Sequence, residues 1–221
     1  MDADQWNERY RQSDLLWTAE PNRWVVQETS GLAPGRALDL AAGEGRNAVW
    51  LAEQGWEVTA VDFVQTALDR GRARAEQIGE RDGVTLAVTW ELDDITTREL
   101  PSGAYDLVLL SYVHLPSYDR RELTRSCARA VAPGGTLLVV GHDATNHTEG
   151  YGGPDDPDVL YSAADLEDDV HDQLSSGSLE LGRAGRVARE VETDEGPRVA
   201  WDVVFTAHRR DMGKGGFSFG D

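Results

Sequence analysis

Short apolar runs alternate with amphipathic stretches along most of this chain. The segment 37–52 reads ALDLAAGEGRNAVWLA: an apolar run carries Asp39 near its end, the small-residue turn Ala41-Ala42-Gly43-Glu44-Gly45 follows, and Ala48, Val49, Leu51 and Ala52 then mark one face of a helix. A second run, Val58–Val61, ends in Asp62. The pattern further predicts a helix over 66–80, an alternating third strand at 84–90, a fourth strand at 106–110, and a fifth at 136–140 after Pro133-Gly134-Gly135. Residues 165–173 read as a helix start, and 187–193 with 199–208 as a closing antiparallel pair. Ahead of the first strand, 5–12 and 21–30 carry helical patterns with Trp6, Tyr10, Trp17 and Trp24 as aromatic anchors. Pro21-Asn22 and Pro34-Gly35 punctuate this N-terminal block. Strands alternating with helices imply an α/β class built on a mostly parallel sheet, and no internal repeat interrupts it.

The order strand, glycine turn, helix, strand, acid is that of a nucleotide pocket. Glycines let backbone approach a ligand where a Cβ would collide, and they adopt positive φ without penalty. In open parallel sheets ligands bind beyond the carboxyl ends of the strands, where strand order reverses. Asp62 would stand at such an end, placed to accept both hydroxyls of an adenosine ribose. The turn then separates two classes of cofactor. A pyrophosphate wants G-x-G-x-x-G without a competing anion, but here Asp39 precedes the turn, Glu44 lies inside it, and Arg46-Asn47-Ala48 follows Gly45. Two carboxylates repel a pyrophosphate and suit a sulfonium with an ammonium group. This favours S-adenosylmethionine over a nicotinamide dinucleotide. A helix-connecting turn with no ligand is the bland alternative.

These residues resemble the class I S-adenosylmethionine-dependent methyltransferases, and within them the small bacterial branch of tellurite-resistance and thiopurine methyltransferase-like proteins. The likeness runs over about residues 5–208 by order of motifs. Leu38–Gly45 looks like the family's D-x-G-x-G-x-G motif, with Ala41 in place of the first glycine. That substitution implies either a negative φ at Ala41 or a slightly wider approach of the cofactor. The resemblance implies a Rossmann-like, seven-stranded, mostly parallel sheet with helices on both faces and an antiparallel C-terminal strand pair. It implies that Asp39, Ala41, Gly43 and Gly45 line the cofactor site and that Asp94 and the Ile95 amide receive adenine. It also implies that Leu110 and Ser111 offer backbone acceptors to the methionyl end. Phe63 would lie against the base or simply pack in the core. Arg46 would pair with the cofactor carboxylate or form an exposed helix-end ion pair. Tyr10 and Trp17 belong to a block similar to the lid of related small-molecule enzymes. An exposed acidic turn at Asp93-Asp94 is the competing account of that segment.

Charge narrows the partners. The 40 Asp and Glu against 21 Lys and Arg give a net charge of −19, the opposite of the basic footprint that nucleic acid requires. A small-molecule acceptor is therefore expected, with no nucleic acid and no membrane partner, and with a monomer or homodimer left open. No run of eighteen apolar residues is present, the N-terminus MDADQWNERYRQ is polar rather than signal-like, and the lone Cys127 excludes an internal disulfide. These features fit a cytoplasmic protein.

Acceptor chemistry should sit at the ends of the fourth and fifth strands, where His114 and His142 fall. Either could take a proton near neutral pH, or serve as a loop histidine bonded to backbone. Asp143, Asn146 and His147 lie close by, but no metal is required by their spacing. The glycine- and proline-bearing segment 145–160 is long enough to be functional or a flexible linker. The organisation read from the chain is an N-terminal helical lid segment over 1–33, a methyltransferase domain over 34–208, and a flexible tail over 209–221. The reading is a methyl transfer from S-adenosylmethionine to a small acceptor (thiol, hydroxyl, amine or metalloid oxyanion) by in-line displacement. The alternative is a cofactor-binding regulatory module without catalysis; a nicotinamide oxidoreductase is disfavoured by Asp39, Glu44 and the lack of a Tyr-x-x-x-Lys pair.

Overall fold

The computed structural model describes residues 19–211; Tyr10, Trp17, most of the expected lid and all but the start of the expected tail lie outside them. Seven strands form one sheet: β1 (Arg36–Leu40), β2 (Glu57–Asp62), β3 (Val88–Leu92), β4 (Tyr105–Ser111), β5 (Val131–His142), β6 (Leu179–Val191) and β7 (Arg198–Arg209). Their spatial order is β3-β2-β1-β4-β5-β7-β6. The first five strands run parallel, and β7 lies antiparallel between β5 and β6. The helices are α1 (Arg23–Thr29), α2 (Arg46–Glu53), α3 (Gln65–Asp82), α4 (Ser117–Ala130), α5 (Asn146–Glu149), α6 (Ala163–Asp169) and α7 (His171–Ser175).

Alternation along the strands splits the core between two faces of the sheet. Leu38, Leu40, Val108, Leu110, Leu137 and Val139 point to the side covered by α4 and α6, through Leu123, Cys127 and Leu166. Ala37, Leu107, Leu109, Leu138 and Val140 point to the side covered by α1 and α2, through Trp24, Val25, Ala48 and Leu51. Such two-sided burial is what parallel strands demand. Strand order reverses between β1 and β4, so the crevice forms beyond their carboxyl ends.

Several boundaries differ from the sequence pattern for identifiable reasons. The third strand begins at Val88 rather than at 84, because Val84 donates its amide to the Gly79 carbonyl and closes the end of α3 with Gly83 at φ +70°. β6 starts eight residues earlier than the alternation suggested, since a register shift between Leu181 and Ala184 scrambles the pattern there. Helix α6 starts at Ala163 because Ser162 and Asp165 form a reciprocal cap, and Val170 separates it from α7. β7 continues to Arg209, the first residue of the expected tail. The segment 145–160 holds α5 and a short 3-10 turn at Pro157–Val159. Buried Asn146 anchors it by donating to the Gly152 carbonyl and accepting from the Trp201 amide.

Candidate functional site

The turn after β1 is stitched to β2. The Ala42 amide donates to the Val61 carbonyl, and the Gly43 amide donates to Asp62 Oδ2 at 2.8 Å. Ala41, Gly43 and Gly45 all take left-handed conformations, at φ 56°, 57° and 71°. Of the two alternatives for Ala41, the negative φ is excluded. The stitching fixes the chain path, and alanine there carries a strain of about 1–2 kcal/mol that glycine would not. Strain held at a ligand-facing turn is typical of binding sites.

Asp39 sits on the α2 side of β1, 1% exposed, and neither carboxylate oxygen has a hydrogen-bond partner among the described residues. Burial, reinforced by the nearby Asp62 charge, pushes its pKa up to about 7 against the opposing pull of Arg46 and the Ala48 amide. Glu44, the second carboxylate expected to shape the site, instead pairs with Arg70 of α3 at 2.9 Å. The case for a cationic ligand thus rests on Asp39. Asp62, also buried, accepts from the Gly43 and Val64 amides through different oxygens. Burial raises its pKa, and those amides work against the rise. The Phe63 amide also works against the rise, and the carboxylate retains acceptor capacity for a hydroxyl donor.

Farther along the crevice, Phe63 packs on Val64 and Ala67. Asp94 is exposed and turns its Oδ1 onto the Thr96 amide and hydroxyl, at 2.9 and 2.7 Å. Asp93 engages Arg98 at 2.8 Å. Ile95 fills the core. Leu110 is buried, while the Ser111 hydroxyl is buried without a partner among the described residues.

Beyond β4 and β5 the fold gathers residues that the sequence reading passed over. Tyr112, the residue after β4, has φ 57° and places its hydroxyl 2.9 Å from Asp202 Oδ2. The same oxygen accepts from Trp24 Nε1 of α1 at 2.9 Å and from Arg189 Nε of β6 at 2.7 Å. Asp202 is fully buried and pairs in register with His142 across β5 and β7. Its Oδ1 lies 3.5 Å from His142 Nδ1. An acid inside the apolar strand 199–207 was the one signal in the sequence that could have flagged it. His114 and His142 do come together, with rings stacked at 5.4 Å. His114 Nε2 accepts from the His142 amide at 3.1 Å, and burial first, then His142, pushes its pKa down to about 3. Burial also lowers the pKa of His142, with Asp202 opposing and Arg189 reinforcing that shift. Both shifts favour the neutral imidazole.

Asp143 is spent on Thr145, at 3.0 Å to the amide and 2.6 Å to the hydroxyl, and His147 is exposed. Among the described residues no group of three His, Cys, Asp or Glu could hold a metal ion, and no helix is long and apolar enough to cross a membrane.

Residues 37–135 match the family described as a methyltransferase domain. The chain is 33% identical over 130 residues to the demethylmenaquinone methyltransferase of Thermus thermophilus, covering 58% of this chain and 54% of that protein. It is 27% identical over 165 residues to the glycine N-methyltransferase of Oryctolagus cuniculus, covering 69% and 56%. The chain thus spans about half the length of these curated relatives. Among solved structures, a protein studied for conversion of a disulfide bond into a thioacetal group during echinomycin biosynthesis superposes with a TM-score of 0.70 at 20% identity, over 96% of this chain and 93% of that one. TehB from Haemophilus influenzae gives 0.64 at 18% identity, over 94% and 67%. The fold is the Rossmann-like methyltransferase fold.

Proposed function

We propose that this chain, with its methyltransferase fold and a matching methyltransferase domain over residues 37–135, transfers a methyl group from S-adenosylmethionine to a small acceptor that must lose a proton. The observation that carries the reading is Asp39: a buried carboxylate with no hydrogen-bond partner for either oxygen among the described residues, at the carboxyl end of β1 beside a left-handed turn. Burial of this carboxylate outweighs the pull of Arg46 and leaves its charged form costly, and a cationic ligand group at this point would relieve the cost. The residues present therefore fit the cofactor.

Asp62 would hold the ribose hydroxyls through its remaining lone pairs, pre-aimed by the Gly43 and Val64 amides. Asp39 would face the ammonium end, and the Ser111 hydroxyl, without a partner among the described residues, would add a polar contact there. The cofactor supplies an activated methyl group on a sulfonium, which departs as a neutral thioether. What remains for the protein is alignment of the acceptor, exclusion of water and custody of one proton. Of the two histidines, His142 suits the last task, because His114 already commits Nε2 to the His142 amide. A hydroxyl or thiol acceptor fits a neutral imidazole base, and a thiol acceptor accords with the resemblance to the thiopurine methyltransferase-like branch. The acidic composition argues against nucleic acid as the acceptor.

The test is isothermal titration with S-adenosylmethionine and S-adenosylhomocysteine, with NADH as control. Binding of the first two alone supports the reading and opens an acceptor screen. Binding without turnover on any acceptor would favour the regulatory module, and binding of NADH alone would overturn the cofactor assignment.

A further inference from the structure

We propose that Asp202 is a positioning residue for His142: it holds the Nδ1–H of the ring and thereby leaves Nε2 bare as the atom that receives the acceptor's proton. The proposal rests on the methyl-transfer reading above, but its structural content stands on the geometry of the cluster. The two oxygens of Asp202 have unequal duties. Oδ2 is saturated by three donors, Trp24 Nε1, the Tyr112 hydroxyl and Arg189 Nε. Oδ1 has only a long 3.3 Å contact from Arg189 and the 3.5 Å approach of His142 Nδ1. His142 Nδ1 is buried with no hydrogen-bond partner among the described residues. A carboxylate oxygen can only accept, so the one tautomer that satisfies this pair puts the hydrogen on Nδ1. The 3.5 Å gap is the looseness expected before substrates close the site.

The ring has little freedom to turn away. Tyr112 meets it edge-on at 4.9 Å, His114 stacks on it at 5.4 Å, and Gly153 of the 145–160 segment lies so close that a Cβ there would stand 3.1 Å from its Cγ and Cδ2. The charged and titratable groups around it come from each packed element: Asp202 from β7, Arg189 from β6, and Tyr112 with His114 from the segment after β4. Proton balance is simple. Nε2 takes the proton as the acceptor's electron pair bonds to the methyl carbon, the electrons of the broken carbon–sulfur bond stay with sulfur, and the imidazolium later returns its proton to solvent.

The substitution Asp202→Asn gives a sharp test. The three donors at Oδ2 require the amide oxygen of asparagine, which forces its NH2 toward His142 Nδ1. Nδ1 must then accept, and the hydrogen moves to Nε2. The experiment is long-range proton–nitrogen correlation on the full chain carrying 15N-histidine, free and with S-adenosylhomocysteine, with His142→Gln assigning the resonance. Wild type should show Nδ1 protonated and Nε2 bare, and Asp202→Asn should show the reverse. Tyr112→Phe, which removes one donor and leaves Oδ1 untouched, should keep the wild-type tautomer. Protonated Nε2 in the wild type overturns the proposal even if no Asp202 variant folds, and so does an unchanged tautomer in Asp202→Asn. Failure of S-adenosylhomocysteine to bind would remove the methyl-transfer reading while leaving the tautomer result to stand.

Discussion

Replacing Asp39 by asparagine should make the cofactor-free protein more stable and a poorer cofactor binder, with a pH dependence that identifies the cause. Burial carries the Asp39 carboxyl from 3.8 to about 7, so ionising it in the folded state costs about 4 kcal/mol relative to the unfolded chain. The folded-state pKa lies above the unfolded one. As pH rises, the unfolded chain therefore loses this proton first, and stability falls between about pH 4 and pH 7 before levelling off. Asparagine removes the charge and leaves a buried amide that lacks partners much as the protonated carboxyl does. The variant should be more stable than wild type by about 4 kcal/mol at pH 8 and by about 1–2 kcal/mol at pH 5. The difference between the two proteins should thus grow by about 3 kcal/mol across that range, or about 6–12 °C in Tm for a domain of this size. Urea or thermal unfolding at pH 5, 6, 7 and 8 measures it. A wild-type-to-variant difference that stays constant with pH would mean that Asp39 is not a buried uncompensated acid. On the binding side, titration calorimetry of wild type at pH 6 in buffers of different ionisation enthalpy should reveal a proton released as the cationic ligand ionises Asp39. The variant should release none.

Three further outcomes are expected. Asp62→Ala should weaken S-adenosylmethionine binding by about 1.5–3 kcal/mol, the range for hydrogen bonds to a charged acceptor; calorimetric affinity equal to wild type would contradict the ribose assignment. Gly71→Ala lies inside α3, where the swap ordinarily stabilises by about 1 kcal/mol. Here the new Cβ would stand 2.5 Å from the Trp90 ring, so destabilisation of about 1–3 kcal/mol is expected, and the sign of the change in unfolding midpoint decides. Ala41→Gly should relieve the left-handed strain and, after the entropic cost of glycine, stabilise by up to about 1 kcal/mol; a loss of stability in the same assay would refute strain at φ 56°.

The sequence by itself determined the class of the fold and the placing of the first half of the candidate site at the end of β1 and β2, because both are local. Apolar runs of strand length, amphipathic helices and the glycine turn between Leu40 and Arg46 each follow from periodicity and steric rules acting on neighbouring residues. Asp39 and Asp62 were legible for the same reason: each closes an apolar run that can only be a buried strand. Tertiary structure decided which acids stay uncompensated. Arg70 lies 26 positions from Glu44 in the chain, and only the packing of α3 brings them together at 2.9 Å. It also decided the backbone at Ala41, since the bonds from Ala42 and Gly43 to β2 override the preference of an alanine for negative φ. The cluster at Asp202 lay furthest out of reach. Trp24, His142 and Arg189 come from three separate elements and Tyr112 from the segment after a fourth, and Trp24 is 178 positions from Asp202. No local rule links them: they meet because β7 inserts antiparallel between β5 and β6, setting a buried carboxylate opposite His142.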